Sequence, residues 1–269
     1  MKNRMTVINA TSRLAIAGLL LLGMAFRSSA GETVIPPSDL PYGLSYQEWS
    51  AKWWQFALGQ STNHLESLGS PGICRGPASR VRFPGPITIG ALMVSGPVTN
   101  HVIVPEGTPL FFSPFSVWQD NGNCPLSAFT TFTADQLAAF DEETWSLVTE
   151  TSCTIDGVAV AGMEDPTNTI YHVVSPPFSY TTAEQDNMLA AAFGAAASCI
   201  PGDFTIYPAV ADGVYVMVAP LSPGKHTIHI IGVVGPLSAP YAKNDVTWEI
   251  TVTRDGEPQP DGYHDGAGQ

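Results

Sequence analysis

Three stretches near the end of the chain decide the fold: Val214-Tyr215-Val216-Met217-Val218-Ala219, His226-Thr227-Ile228-His229-Ile230-Ile231-Gly232-Val233 and Val246-Thr247-Trp248-Glu249-Ile250-Thr251-Val252. Each is short and rich in β-branched and aromatic residues, the composition of a strand. Ser222-Pro223-Gly224 between the first two is a turn. Further strands are predicted at Ile87–Val94, His101–Val104, Leu110–Phe115, Ile170–Val174 and Phe204–Tyr207. Cys153-Thr-Ile-Asp156-Gly157-Val-Ala-Val160 predicts a hairpin, because Asp-Gly suits the left-handed positions of a type I′ turn. Many short strands separated by turns, with no strand–helix alternation, predict a mostly β protein. The expected form is an antiparallel β-sandwich, jelly-roll or immunoglobulin-like.

Composition agrees. The 269 residues include 25 Gly and 23 Pro and are 13% charged, which excludes a coiled coil or a long helical bundle. A hydrophobic share of 44% is enough for a packed core. The net charge of −13 repels phosphate backbones and anionic lipid, so no nucleic-acid partner is expected.

The N-terminus has the pattern of a cleavable signal peptide over residues 1–30. Bases at Lys2, Arg4 and Arg13 precede an apolar run from Leu14 to Phe26, and Ser28-Ser29-Ala30 offers small residues for cleavage. The run, about 13 residues, is too short to span about 30 Å of hydrocarbon as a helix. A secreted or periplasmic protein is expected, without a membrane span in the mature chain. Residues 31–254 read as a single domain and 255–269 as a disordered Gly/Pro/Asp-rich tail. Four cysteines, Cys74, Cys124, Cys153 and Cys199, then predict two disulfides. A site of four thiolates is the rival reading, but no C-x-x-C pair supports it.

The clearest helix begins at Ser45, where Ser45 and Glu48 form a capping box. At about 100° per residue, Tyr46, Trp49, Ala51, Trp53, Trp54, Phe56, Ala57 and Leu58 fill a wide apolar arc. Glu48, Lys52 and Gln55 occupy the narrow remainder, so this helix must be buried on most sides. One or two further short helices are predicted. One runs over Ala134–Val148 behind a Thr133/Gln136 capping box, and another runs towards Phe193 with Thr181 or Thr182 as its cap.

The run Ser45-Tyr46-Gln-Glu48-Trp49-Ser-Ala-Lys52-Trp53-Trp54-Gln55-Phe56 resembles the opening of a family of exported bacterial proteins of unassigned function. Matching segments follow in order. They are Val104-Pro105-Glu-Gly107-Thr-Pro-Leu110-Phe111-Phe112, Asp156-Gly157-Val158, Ser175-Pro176-Pro-Phe178, Asp212-Gly213-Val-Tyr215 and Leu221-Ser222-Pro223-Gly224-Lys225-His226-Thr227-Ile228. The resemblance implies export and brings no activity with it. The chain departs from the family pattern at Val102, where a Cys is usual, and at Thr108, where a Lys is usual.

Candidate binding residues are Trp54, Trp118, Asp120, Asn121, His101 and His172. Trp49, Trp53 and Trp54 could stack on sugar rings, although so wide an apolar arc reads first as core. Glu48 could be an acid or base, but the capping box already uses it. Asp120 follows a strand beside Trp118 and Asn121, a setting shared by functional loops and by ordinary Asp-Asn-Gly turns. The histidines show no H-x-H or H-E-x-x-H spacing. His226 and His229 point to opposite faces of one strand, so a metal site has little support and no cofactor is expected. No G-x-S-x-G elbow is present. The acidic run Asp141-Glu142-Glu143 reads as solvated surface.

The first functional expectation is therefore a non-catalytic extracellular binding or envelope-associated protein, with carbohydrate as the candidate ligand. The alternatives are a polysaccharide-active hydrolase or lyase using carboxylates in a Trp-lined cleft, and a metal-dependent periplasmic protein.

Overall fold

The capping box at Ser45 forms as the sequence predicts. In a computed structural model that describes residues 33–62, 68–70, 72, 76–85, 96–122, 124 and 131–254, the Ser45 hydroxyl accepts from the Glu48 amide at 3.2 Å. The Glu48 carboxylate accepts from the Ser45 amide at 2.8 Å. The expected signal peptide, the Ile87–Val94 strand, Cys74, His64, His264 and the tail lie outside the described residues.

Along the chain stand β1 (Val34–Ile35), α1 (Tyr46–Gly59), β2 (Leu68–Gly69), β3 (Phe83–Pro84), β4 (Val98–Pro105), β5 (Leu110–Asp120), α2 (Ala134–Trp145), β6 (Val148–Ile155), β7 (Val158–Ala159), β8 (His172–Val174), β9 (Phe178–Thr181), α3 (Met188–Phe193), β10 (Thr205–Val218), β11 (Gly224–Val234) and β12 (Ala242–Thr253). Among the described residues the protein is mostly β, with antiparallel sheets and three α-helices, one of them Trp-rich.

Strand β10 organises the first sheet. One of its edges pairs with β5, and the other with β9, β8 and β1 in turn, all antiparallel. The second sheet runs β4-β12-β11-β6-β7. Its β4–β12 pair is parallel, a departure from the antiparallel expectation. The Asp156-Gly157 turn joins β6 to β7 with φ of 50° and 76°, the left-handed pair that a type I′ turn needs.

Side chains alternate along a strand, and β10 uses both faces. Tyr215 and Met217 share a face with Phe111 of β5, and α1 packs there. The Trp54 indole donates to the Tyr215 hydroxyl at 2.9 Å, and the Tyr46 hydroxyl accepts from the Met217 amide at 2.8 Å. Phe111 and Tyr215 stack at 5.5 Å. On the opposite face Phe112 meets Trp248 of β12 at 5.3 Å, bringing the second sheet against the first. The two sheets approach closely at Gly232. A Cβ there would lie 2.5 Å from Phe115 Cβ and 2.7 Å from the Pro114 carbonyl oxygen. Pro114 fits inside β5 because the strand bulges beside it. The register jumps from Val214↔Phe115 to Val216↔Phe112, leaving an extra residue on β5.

We expect Gly232→Ala to destabilise the protein by about 1–3 kcal/mol, because a backbone carbonyl must move aside. Chemical denaturation measures this. A loss below about 0.5 kcal/mol would show that the sheets can separate freely at this point.

Several expectations change. Phe204–Tyr207 and Val214–Ala219 are one continuous strand, β10. The second helix ends at Trp145, and Val148 opens β6. The third is capped by Asn187, whose side chain accepts from the Ala190 amide, and not by Thr181 or Thr182. Thr182 instead donates to the Pro201 carbonyl. Of the expected disulfides, Cys124–Cys199 forms, whereas Cys153 is a free, buried thiol. Cys153 alternates inward from β6 opposite Ile230, and burial pushes its thiol up to about 12.

Candidate functional site

The first sheet carries a polar cluster on each face. On the α1 face, Asp120 ends β5. Its carboxylate accepts from the Gly122 amide at 2.7 Å, the Trp118 indole at 2.8 Å and the Tyr180 hydroxyl at 2.6 Å. Three donors make Asp120 a fixed acceptor that sets the plane of the Trp118 ring. Burial raises the Tyr180 hydroxyl above its ordinary range, with the Asp120 charge adding to the effect, so the phenol stays protonated as a donor.

Trp118 packs against Trp54 at 4.4 Å with 38° between the ring planes and meets Phe193 of α3 at 5.6 Å. The three rings form a row from the core outwards. Trp54 is 2% exposed, Trp118 is half-buried, and Phe193 is 41% exposed. Trp54, a candidate binding residue by sequence, is enclosed. Its Nε1 is consumed by Tyr215, and its ring lies between Trp53 and Trp118. Trp49 and Trp53 are core as well.

Asn121 is structural. Its amide donates to the Phe132 carbonyl at 3.0 Å and accepts from the Phe132 amide at 2.9 Å, closing the connection ahead of α2. His101 stands apart on the second sheet, 3.2 Å from Glu249, with 77% of its side chain exposed.

On the other face of the first sheet lies a second cluster. His172 Nε2 of β8 is 2.5 Å from Asp212 Oδ1 of β10. The His172 ring stacks on Trp145 at 4.6 Å with 9° between the planes. Trp145 and Asp141 sit one helical turn apart on the buried side of α2, in line with Leu137. Asp141 is fully buried, and neither carboxyl oxygen has a hydrogen-bond partner among the described residues; the same holds for Trp145 Nε1. Burial, followed by the Asp212 and Asp120 charges, pushes the Asp141 carboxyl up to about 8.

Asp141 therefore overturns the reading of its acidic run as solvated surface. Only Glu142 and Glu143 are exposed. The Leu137/Asp141/Trp145 spacing was the available signal. A carboxylate in step with Leu and Trp at i, i+4 and i+8 lies on the face those residues bury. Tyr180 and Phe193 carried no comparable signal, because their roles arise from pairing across elements.

Among the described residues no group of three or more His, Cys, Asp or Glu side chains converges for a metal ion, and no helix is long and apolar enough to cross a membrane. No family model and no curated protein matches the chain. Among solved structures it is similar to the solution structure of Amebosin, at 10% identity over 58% of this chain and 95% of that chain, with a TM-score of 0.18. A score that low carries no argument about fold or function.

Proposed function

We propose that this is an exported, non-catalytic binding protein built on a β-sandwich, with carbohydrate as the ligand class. The observation that carries the reading is the ring row Trp54–Trp118–Phe193, held by Asp120 and ending in an exposed aromatic face. Apolar pyranose faces stack on such rings, and a ring already fixed by Asp120 loses little freedom on binding. Export is supported by the N-terminal pattern and by a disulfide, which persists in oxidising compartments. The sandwich reading is supported by the facing contacts of Phe112 with Trp248 and of Gly232 with Phe115.

The hydrolase alternative has less support. Glycoside cleavage needs two carboxyl groups flanking a reachable bond. Asp141 and Asp212 are enclosed, and Asp120 is already engaged by three donors.

The test is thermal unfolding of the oxidised protein against soluble oligosaccharides, with Phe193→Ala beside the parent. A ligand at a hundred times its Kd adds about 2.7 kcal/mol of stability. Phe193→Ala should fold normally and bind at least about tenfold more weakly, a loss of about 1.4 kcal/mol. Unchanged affinity in Phe193→Ala would overturn the ring-row site, and no shift with any sugar would overturn carbohydrate as the ligand.

A further inference from the structure

We propose that α2 is a pH-sensitive clasp, docked on the first sheet only while Asp141 carries its proton. The helix meets the sheet through Leu137, Asp141 and Trp145. Asp141 is enclosed, and neither oxygen has a hydrogen-bond partner among the described residues, so a carboxylate there would be desolvated with no donor or counter-ion among them.

The groups around it offer no relief. From β10, Asp212 faces the same side, while Tyr215 lies on the opposite face. From β5, Asp120 also lies on the opposite face and is engaged there. From β8, His172 is committed to Asp212. On α2 itself, Asp135, Glu142 and Glu143 are exposed acids. No Lys or Arg occurs in α2, β5, β8 or β10. Loss of the proton therefore sets one negative charge against Asp212, and none of these four elements supplies a Lys or Arg to neutralise it.

The direction of the pH dependence follows. The docked helix holds the Asp141 proton up to about pH 8, whereas an undocked helix would release it in the ordinary carboxylate range, near 3.8. The docking preference is full below the lower value. It falls about tenfold per pH unit as pH rises through the window, and levels off above the upper value. Undocking would uncover Trp145 and the His172–Asp212 pair, of which only His172 now reaches solvent, with 24% of its side chain exposed against 3% for Asp212. The inference does not depend on the carbohydrate reading, because the ring row lies on the other face of the sheet.

Native-state hydrogen exchange between pH 5 and pH 9.5 tests it, read as protection factors so that intrinsic exchange is removed. Protection of the α2 amides should fall about tenfold per unit from pH 5 to 8 and then flatten. Protection of α1 should not share that slope, and Asp141→Asn should abolish it. Flat α2 protection in the parent, the same slope in Asp141→Asn, or the same slope in α1 would each overturn the clasp. Carboxyl carbon shifts of the parent supply a second readout that needs no variant. An Asp141 carboxyl that titrates near 4 while α2 remains protected would also overturn it.

Discussion

Replacing Trp54 by alanine should cost about 3–5 kcal/mol, the range for truncating a buried indole in a core that relaxes only partly. Trp54 is held on three sides. Its ring meets Trp53 at 5.0 Å and Trp118 at 4.4 Å, and its Nε1 donates to Tyr215 at 2.9 Å. Tyr215 is fully buried, so truncation removes a donor to a hydroxyl that water cannot reach. The damage should spread to Trp118, whose emission should shift to longer wavelength as its stacking partner goes. Urea denaturation of Trp54→Ala and of Trp54→Phe separates the contributions. The phenylalanine variant restores most of the volume but not the hydrogen bond, and should recover more than half of the loss. A loss below about 1 kcal/mol in Trp54→Ala would mean that α1 is not anchored through this ring.

Opening the Cys124–Cys199 bridge should have a comparable effect. The two residues are 75 apart in sequence, and closing a loop of that length restricts the unfolded chain by about 4 kcal/mol in the chain-entropy account. For a domain of this size that corresponds to a fall in Tm of about 8–16 °C. The bridge also acts locally. Cys124 donates its amide to the Ala196 carbonyl at 3.2 Å, and the Cys199 amide donates to Cys124 Sγ at 2.9 Å. It thereby joins the segment after Asp120 to the segment after α3, so the Trp118–Phe193 contact should loosen with it. Scanning calorimetry of Cys124→Ser with Cys199→Ser against the oxidised parent measures the effect. A Tm change under about 2 °C would show that the bridge restrains little. Cys153 should stay unreactive towards thiol reagents in either form until the protein unfolds, since the thiol is buried and its ionisation suppressed.

The features legible in the sequence were those set by neighbours along the chain. The Ser45/Glu48 and Thr133/Gln136 capping boxes, the Asp156-Gly157 turn and the burial of α1 each depend on residues within a few positions of one another. Their chemistry is local: an orphan amide finds a nearby oxygen, a glycine accepts positive φ, and an apolar arc too wide to stay wet is covered. Strand composition likewise announced a mostly β protein of antiparallel sheets. Local rules failed at β10, where the break expected between Tyr207 and Val214 is continuous strand, because β5 and β8 pair with Asp212 and Gly213 from both sides.

What only the tertiary structure decided is which distant groups share an environment. The Leu137/Asp141/Trp145 spacing puts Asp141 on the buried face of α2, but what encloses it there, β5 and β10, is set by packing between distant segments. Nothing local to Cys153 leaves it unpaired, whereas Cys124 and Cys199 meet because β5 and the segment after α3 end at the same place. Trp54 and Trp118 belong to different elements and meet only because α1 crosses the face of β5. The sequence by itself determined the helices' caps and buried faces, the tight turns and the preference for strands, since these depend on the backbone and its immediate neighbours. The clusters at Asp120 and Asp141 depend on solvent exclusion and charge proximity between segments tens of residues apart, and those arise only when the chain is folded.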